Sequence, residues 1–140
     1  MWFRFLERLR GNPLRRRVSR RALRDPARLG REGEWLAYDL LVRKGYDVVA
    51  RNWRAPFGEV DLVARRGDAL HLVEVKTRRR HEVFRPEDRV DAEKMERYRD
   101  LGVYFLKSHR LDIRDLRCHL VAITVGEDRR ATLEFHENAF

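Results

Sequence analysis

The sequence contains a single cysteine, Cys118, and no apolar run that approaches the roughly 20 residues needed to span a bilayer. One cysteine excludes an internal disulfide and any zinc site built from several cysteines, and this scarcity favours a reducing, cytoplasmic compartment. The five histidines show no metal-ligand spacing. The short apolar run within residues 1–10 is interrupted by arginines, which is unlike a secretory signal, and stable membrane insertion is not expected.

Acidic residues are scarce at the start of the chain, which has a net charge of +9 over its 140 residues. Residues 1–28 hold ten arginines and two acidic residues, whereas residues 29–140 hold 22 basic and 21 acidic residues. With Pro26 and Gly30 as the border, the sequence predicts an Arg-rich arm over 1–28 and one domain over 29–140. Such an arm suits phosphate binding, although a solubilising tail or a membrane-surface helix has the same composition. The arginines assigned to phosphates are Arg15, Arg16 and Arg17.

Apolar periodicity and turn residues predict two helices and five strands. The first helix is expected to end at Gly45, and Glu34 lies at the edge of its apolar stripe. The predicted helices cover residues 29–44 and 86–108, and the predicted strands cover 47–51, 59–65, 70–78, 116–125 and 131–136. Because long helical patterns interrupt the strands, the fold class is α/β, with a mixed central sheet flanked by helices.

The segment GEVDLVARRGDALHLVEVKTR places charged residues among valines and leucines in two adjacent strands. Gly67 and Asp68 form the expected two-residue tip of a hairpin, so paired residues have numbers that sum to 135. Asp61 then faces Glu74, and Glu59 faces Lys76. Two carboxylates at the usual cross-strand distance of roughly 5 Å destabilise a sheet unless something compensates for their charge.

A divalent cation is one such compensation, since Mg²⁺ commonly takes one or two carboxylates and completes its shell with water and phosphate oxygens. Mg²⁺ or Mn²⁺ on Asp61 and Glu74, with Glu34 as a third ligand and Lys76 holding a water, would make a site for metal-dependent hydrolysis. Lys94 shares a helical face with the predicted core residues and would neutralise a phosphate or extend to solvent. A surface hairpin with ordinary ion pairs is the simpler alternative.

The motifs GREGEWLAYDLLVRKGYDVVARNWR, GEVDLVA and LVEVKTR, followed by a helix with Lys94, resemble the YraN-type family of bacterial proteins over about residues 29–125. That family is similar to Holliday-junction resolvases of the restriction-endonuclease-like superfamily. The resemblance implies an αβββαβ core and a Mg²⁺-dependent phosphodiesterase site, and Glu59 belongs to the family's Gly-Glu-x-Asp motif. The implied site residues are Glu34, Asp61, Glu74 and Lys76. The family usually has Arg-Phe-Asp where this chain has Arg117-Cys118-His119, so His119 is not expected to supply any role of that aspartate.

The leading hypothesis is a DNA endonuclease, selective for branched or flapped DNA, in which arginines hold flanking phosphates. A homodimer would suit symmetric cutting of a junction. The alternative is a non-catalytic nucleic-acid-binding or DNA-processing adaptor with the same fold. Trp53, in a predicted loop, is the aromatic residue best placed to stack on a base, whereas Trp35 and Tyr38 are expected to pack. The arginines expected near the site are Arg51, Arg54 and Arg78.

Overall fold

The computed structural model describes residues 17–82 and 91–139, and within them the chain forms two α-helices and five strands in the predicted order. A short 3-10 helix, Ala22–Arg24, precedes them. The helices are α1 (Pro26–Arg43) and α2 (Ala92–Ser108). The strands are β1 (Asp47–Ala55), β2 (Gly58–Arg66), β3 (Ala69–Arg79), β4 (Asp115–Val125) and β5 (Ala131–His136).

The strands form one mixed sheet whose spatial order follows the chain, from β1 to β5. Strands β3 and β4 are parallel and α2 connects them, whereas the other neighbours are antiparallel hairpins. The prediction of an α/β fold with a mixed sheet and flanking helices is confirmed. Strand β1 is four residues longer than predicted, because Trp53, Arg54 and Ala55 pair with β2 and the turn lies only at Pro56 and Phe57.

Helix α1 starts three residues earlier than predicted. Asp25 caps it by accepting the N–H groups of Ala27 and Arg28, and Pro26 occupies the first turn, where a missing N–H breaks no helical hydrogen bond. Pro26 therefore begins the helix and does not mark a break before it. The helix ends as predicted at Gly45, which adopts a φ of 89° that glycine tolerates without strain.

The described part of the predicted arm packs on the domain. Val18 and Ala22 are 2% and 1% exposed and belong to the core. Ser19 donates its hydroxyl to Glu32 of α1, and Arg17 forms an isolated bridge with Arg130. Residues 17–28 are thus part of the folded structure, whereas Arg15 and Arg16 lie outside the described residues.

The two helices cover opposite faces of the sheet. On the α1 face, Leu41 packs with Leu62 and Val73, and on the α2 face, Leu101 packs with Leu72. Each fully buried leucine contributes about 2–3 kcal/mol of transfer free energy. Residues of β3 alternate between these two cores, which is the strand periodicity that the sequence showed.

One glycine on each helix allows close approach to the sheet. A Cβ on Gly33 would lie 1.9 Å from Thr77 Oγ1, and a Cβ on Gly102 would lie 2.5 Å from a methyl group of Leu116. Helix α1 therefore reaches β3 beside the charged end of the hairpin.

Helix α2 begins at Ala92, where Asp91 accepts the Lys94 N–H at 2.8 Å. The sequence predicted its start at residue 86, and residues 83–90 lie outside the described residues. Neither helix in the described part of the chain has the length and apolar character needed to cross a membrane.

Candidate active site

The β2–β3 hairpin has the predicted register. Its pairs run from Arg66–Ala69 to Leu62–Val73 and follow the expected sum of 135. Asp61 and Glu74 lie one step beyond the last of these pairs. There Asp61 Oδ2 accepts the backbone N–H of Val75 at 2.8 Å, so the side chain of β2 continues the connection to β3.

The surroundings of Asp61 disfavour the ionised form of its carboxylate. Burial raises the pKa of Asp61 to about 6, and the charges of Glu74, Glu34 and Glu59 add to this effect, although the Val75 N–H opposes it. The Val75 N–H is a neutral donor, and the three neighbouring charges are negative. A cation beside Asp61 would therefore lower the free energy of the ionised carboxylate.

Glu74 has the opposite environment, although it is only 9% exposed. Its Oε1 lies 2.7 Å from Lys94 Nζ and 3.3 Å from Lys76 Nζ, and its Oε2 accepts the Tyr98 hydroxyl at 2.5 Å. Burial acts to raise the pKa of Glu74, but these hydrogen bonds and lysine charges outweigh it and hold the pKa below its ordinary value. For Glu74, two lysines and a tyrosine supply the compensation that the sequence analysis assigned to a metal ion.

Helix α2 provides two of these partners. Lys94 and Tyr98 are four residues apart and therefore project from the same helical face. Burial, followed by the charge of Glu74, raises the pKa of Tyr98 well above its ordinary range, so the phenol stays protonated and donates. The helical periodicity that places Lys94 also places Tyr98 on the apolar face of α2, where only a core role was expected. The four-residue spacing of Tyr98 from Lys94 was the signal in the sequence that both project together. That they meet Glu74 of β3 could not be predicted without knowing where α2 packs on the sheet.

An open pocket of about 510 Å³ collects the charged ends of these elements. It contains four of the predicted residues, Asp61, Glu74, Lys76 and Lys94, together with the accessory Glu59. Arg97, which was not predicted as a site residue, is the third basic residue of the pocket after Lys76 and Lys94. Among the described residues, the lining is Phe57, Gly58, Glu59, Asp61, Glu74, Val75, Lys76, Lys94, Arg97 and Tyr98.

Glu34 lies on α1, against the other face of the sheet, and is half-buried. It does not line the pocket, but its charge contributes to the raised pKa of Asp61. Within the described residues, no three His, Cys, Asp or Glu side chains are grouped as metal ligands. Asp61 and Glu74 are oxygen donors of the type that Mg²⁺ and Mn²⁺ take, and one or two carboxylates are enough when water and phosphate oxygens complete the shell.

Glu59 forms an ion pair with a residue of β1, the strand on the other side of β2 from β3. Its carboxylate lies 3.2 Å from Arg54 Nε across β1 and β2, and both side chains are largely exposed. Lys76, which the predicted register places across the hairpin from Glu59, contacts Glu74. Exposed pairs of this kind contribute roughly 0–1 kcal/mol, so Arg54 can exchange Glu59 for a phosphate at little cost.

The other predicted phosphate-binding arginines have varied surroundings. The Arg51 guanidinium lies 3.4 Å from the centre of the Trp35 ring, on the α1 side of the sheet. Arg78 is half-buried at the end of β3, and Arg17 is exposed. Arg51 therefore stacks on a side chain of α1 and does not belong to the pocket lining.

His119 lies on the α1 face, opposite Glu74. Its Nε2 is 2.7 Å from His71 Nδ1, its Nδ1 accepts the Asn138 N–H, and both histidines are buried. Burial lowers the pKa of His119 to about 4, so it is neutral at pH 7. His119 does not line the pocket. Cys118 is buried, as expected of a small core residue, and burial raises its pKa to about 11.

Comparison with known proteins identifies relatives across most of the chain. Residues 33–123 match the model of Uncharacterised protein family UPF0102. A UPF0102 protein of Paenarthrobacter aurescens is 42% identical over 95 residues, covering 68% of this chain and 78% of the relative. UPF0102 proteins of Thermodesulfovibrio yellowstonii and Moorella thermoacetica are 36% and 38% identical and cover 80% and 81% of this chain and 95% of each relative. The YraN-type resemblance is confirmed, and the chain belongs to the uncharacterised family UPF0102.

Proposed function

We propose that the protein is a Mg²⁺- or Mn²⁺-dependent DNA endonuclease with a core of the restriction-endonuclease-like type. The observation that carries the proposal is the convergence of Asp61, Glu74 and Lys76 in one open pocket at the end of the β2–β3 hairpin. An acid pair with an adjacent lysine provides metal ligands and a group that positions water. The order of helices and strands agrees with an αβββαβ core.

Asp61 and Glu74 are the residues that would hold the metal ion. When bound, the cation supplies positive charge that polarises the scissile phosphate and stabilises the leaving oxygen. Lys94 and Tyr98 fix the Glu74 carboxylate through both of its oxygens. They act as positioning residues, since both side chains are largely buried in the wall of the pocket.

Lys76 has the freedom needed to act on a water molecule. Its side chain is 42% exposed and its ammonium group lies 3.3 Å from Glu74, longer than the 2.7 Å contact of Lys94. It can leave Glu74 to hold the attacking water or stabilise developing negative charge. Arg97 and Arg54, at the pocket and its border, would bind flanking phosphates without reading sequence. Two copies would be needed for symmetric cutting of a junction.

A cleavage assay tests this proposal. Junction, flap and linear DNA are incubated with the protein in Mg²⁺, Mn²⁺ or EDTA. Cleavage is expected only with metal, and Asp61→Asn and Lys76→Met should reduce its rate at least 100-fold, in line with the roughly 10²–10⁴ contributed by single groups at such sites. Asp68→Asn, at the exposed tip of the same hairpin, is the matched control and should remain active. Equal cleavage by all variants would indicate a contaminating nuclease and refute the proposal.

One observation favours a second candidate, a nucleic-acid-binding adaptor without catalysis. Glu74 is already neutralised by Lys94, Lys76 and Tyr98, so this part of the pocket is stable without a metal ion. The adaptor predicts salt-sensitive DNA binding and no change in melting temperature on addition of Mg²⁺. The endonuclease predicts a Mg²⁺-dependent rise that Asp61→Asn abolishes.

A further inference from the structure

Two aromatic rings stand exposed at the rim of the candidate active site. Phe57, in the β1–β2 turn, is 46% exposed and lines the pocket itself. Tyr104, on α2, is 39% exposed, and its ring centre lies 5.5 Å from that of Phe57, with the two planes at 87°. We call Phe57 and Tyr104 the aromatic rim.

The rings of the aromatic rim are held in place from below. Trp53 lies 6.0 Å from Tyr104 and 5.0 Å from Phe105, a buried residue of the α2 core. Trp53 was predicted to be the base-stacking residue because a loop was expected there. In the structure Trp53 is half-buried in β1 and supports the rim, and the exposed ring is four residues further on, at Phe57.

The composition of this surface suits unpaired nucleic acid. Exposed aromatic faces beside cationic side chains bind single strands, since bases stack on the rings while phosphates meet the charges. Here Phe57 shares the pocket with Lys76 and Arg97, whose side chains are the more exposed cations of the lining. A continuous duplex keeps its bases stacked on each other, so it offers these rings nothing to stack on.

A second copy of the chain is a poorer occupant of the aromatic rim. A specific protein interface buries about 800 Å² on each partner, whereas a whole aromatic side chain buries about 150–250 Å². Phe57 and Tyr104 are already about half covered, so the rim supplies only a small part of that area. Its continuity with the charged pocket also favours an occupant that carries phosphates.

We propose that Phe57 and Tyr104 stack on unpaired bases next to the phosphate held in the pocket, and so select nucleic acid with a single-stranded segment over continuous duplex. This inference rests on the proposed function for its location, since it places the stacked bases beside the candidate catalytic residues. It assigns a substrate class to the site: forks, flaps and gapped strands.

Binding measured without metal tests the inference separately from cleavage. Fluorescence anisotropy in EDTA compares a labelled single-stranded oligonucleotide, a fork and a blunt duplex of equal length. Phe57→Leu and Tyr104→Leu should each weaken binding of the single strand and the fork about fivefold or more, and change duplex binding less than twofold. Phe57→Tyr and Tyr104→Phe should retain wild-type affinity because they keep a ring.

Val49→Ala is the matched control, because Val49 is a 43% exposed apolar residue of β1 outside the pocket lining. It should bind every oligonucleotide like the wild type. Unchanged single-strand affinity in the leucine variants would overturn the inference, as would an equal loss for duplex. A shift from dimer to monomer on sedimentation, with DNA affinity unchanged, would assign the rim to contact between copies and overturn it too.

The outcomes also separate this inference from the proposed function. Asp61→Asn should keep the single-strand preference, because it leaves both rings intact. A ring-dependent preference without any cleavage would uphold the stacking surface and refute the endonuclease. Metal-dependent cleavage of duplex and fork at equal rates, unaffected by Phe57→Leu, would uphold the endonuclease and refute the stacking surface.

Discussion

Burial and neighbouring acids make ionisation of Asp61 unfavourable, as its raised pKa shows. Replacing Asp61 with the neutral asparagine should therefore stabilise the metal-free protein. Asp61→Asn keeps an oxygen that can accept the Val75 N–H but removes the charge that burial and three neighbouring acids oppose. The variant should therefore be more stable than the wild type at neutral pH, although it changes a residue at the centre of the candidate site.

The magnitude follows from the pKa of Asp61, which rises from an ordinary 3.8 to about 6. A difference of about two units corresponds to about 3 kcal/mol of unfolding free energy. Because the folded state binds the proton more tightly, this penalty on the wild type is absent below pH 4, grows as the pH rises, and is complete above about pH 6. With an unfolding entropy of about 0.3 kcal/mol/K for a chain of this length, the melting temperature should rise by up to roughly 10 °C.

Urea unfolding at pH 4 and pH 7.5, in EDTA, measures this difference. The advantage of Asp61→Asn should be near zero at pH 4 and about 1–3 kcal/mol at pH 7.5. Asp68→Asn, at the exposed turn, should stay within about 0.5 kcal/mol of the wild type at both values. A variant that is no more stable at pH 7.5, or equally stabilised at both pH values, would refute the electrostatic reasoning.

Three further predictions concern stability, each measured by urea or thermal unfolding. Lys94→Met leaves Glu74 with fewer partners in a buried site and should destabilise the protein by about 3 kcal/mol at pH 7.5; no loss would mean the ion pair is dispensable. Gly33→Ala should destabilise by about 1–3 kcal/mol or more through its clash with β3, whereas Gly30→Ala, with open space around it, should stabilise by up to about 1 kcal/mol; equal effects would contradict this account. The pKa of His119 is lowered in the folded state, so protonating it costs about 3 kcal/mol of unfolding free energy as the pH falls from 6.5 to 4. His119→Gln should remove this loss of stability; an unchanged dependence of stability on pH in this range would exclude His119 as its cause.

The hairpin shows how much of the site local sequence rules could predict. A Gly67-Asp68 tip and strict alternation were enough to set the register of β2 and β3. Helix α1 could be placed by its apolar stripe and its stop at Gly45, and the face of α2 that carries Lys94 was also predicted. These features depend on residues close together in the chain, where turn chemistry and periodicity act directly.

The partners of the charged residues could not be predicted, because they depend on how deeply each helix packs on the sheet. That depth is set by contacts such as Gly33 against Thr77, which no local pattern reveals. The ion pairs of Glu59 with Arg54 and of Glu74 with Lys94 are two contacts that the hairpin register alone did not reveal. The prediction also ended β1 at residue 51 and placed a loop after it, although the ladder to β2 continues to Ala55.

The two predicted metal ligands differ in how far neighbouring groups compensate their negative charge. Glu74 receives two lysines and a tyrosine from β3 and α2, whereas Asp61 receives one backbone N–H and has acids around it. Asp61 is thus the group for which an added cation would change the energy most. This asymmetry is a property of the folded arrangement and is not visible in the motif itself.

A crystal soaked in MnCl₂ and measured at a wavelength with manganese anomalous signal tests the central claim most directly. The account predicts an anomalous peak within about 2.0–2.5 Å of an Asp61 oxygen, on the side facing Glu74, and its loss in crystals of Asp61→Asn. A pocket without a peak at millimolar Mn²⁺, or a peak that persists in the Asp61→Asn crystal, would contradict the claim that these carboxylates form a metal site.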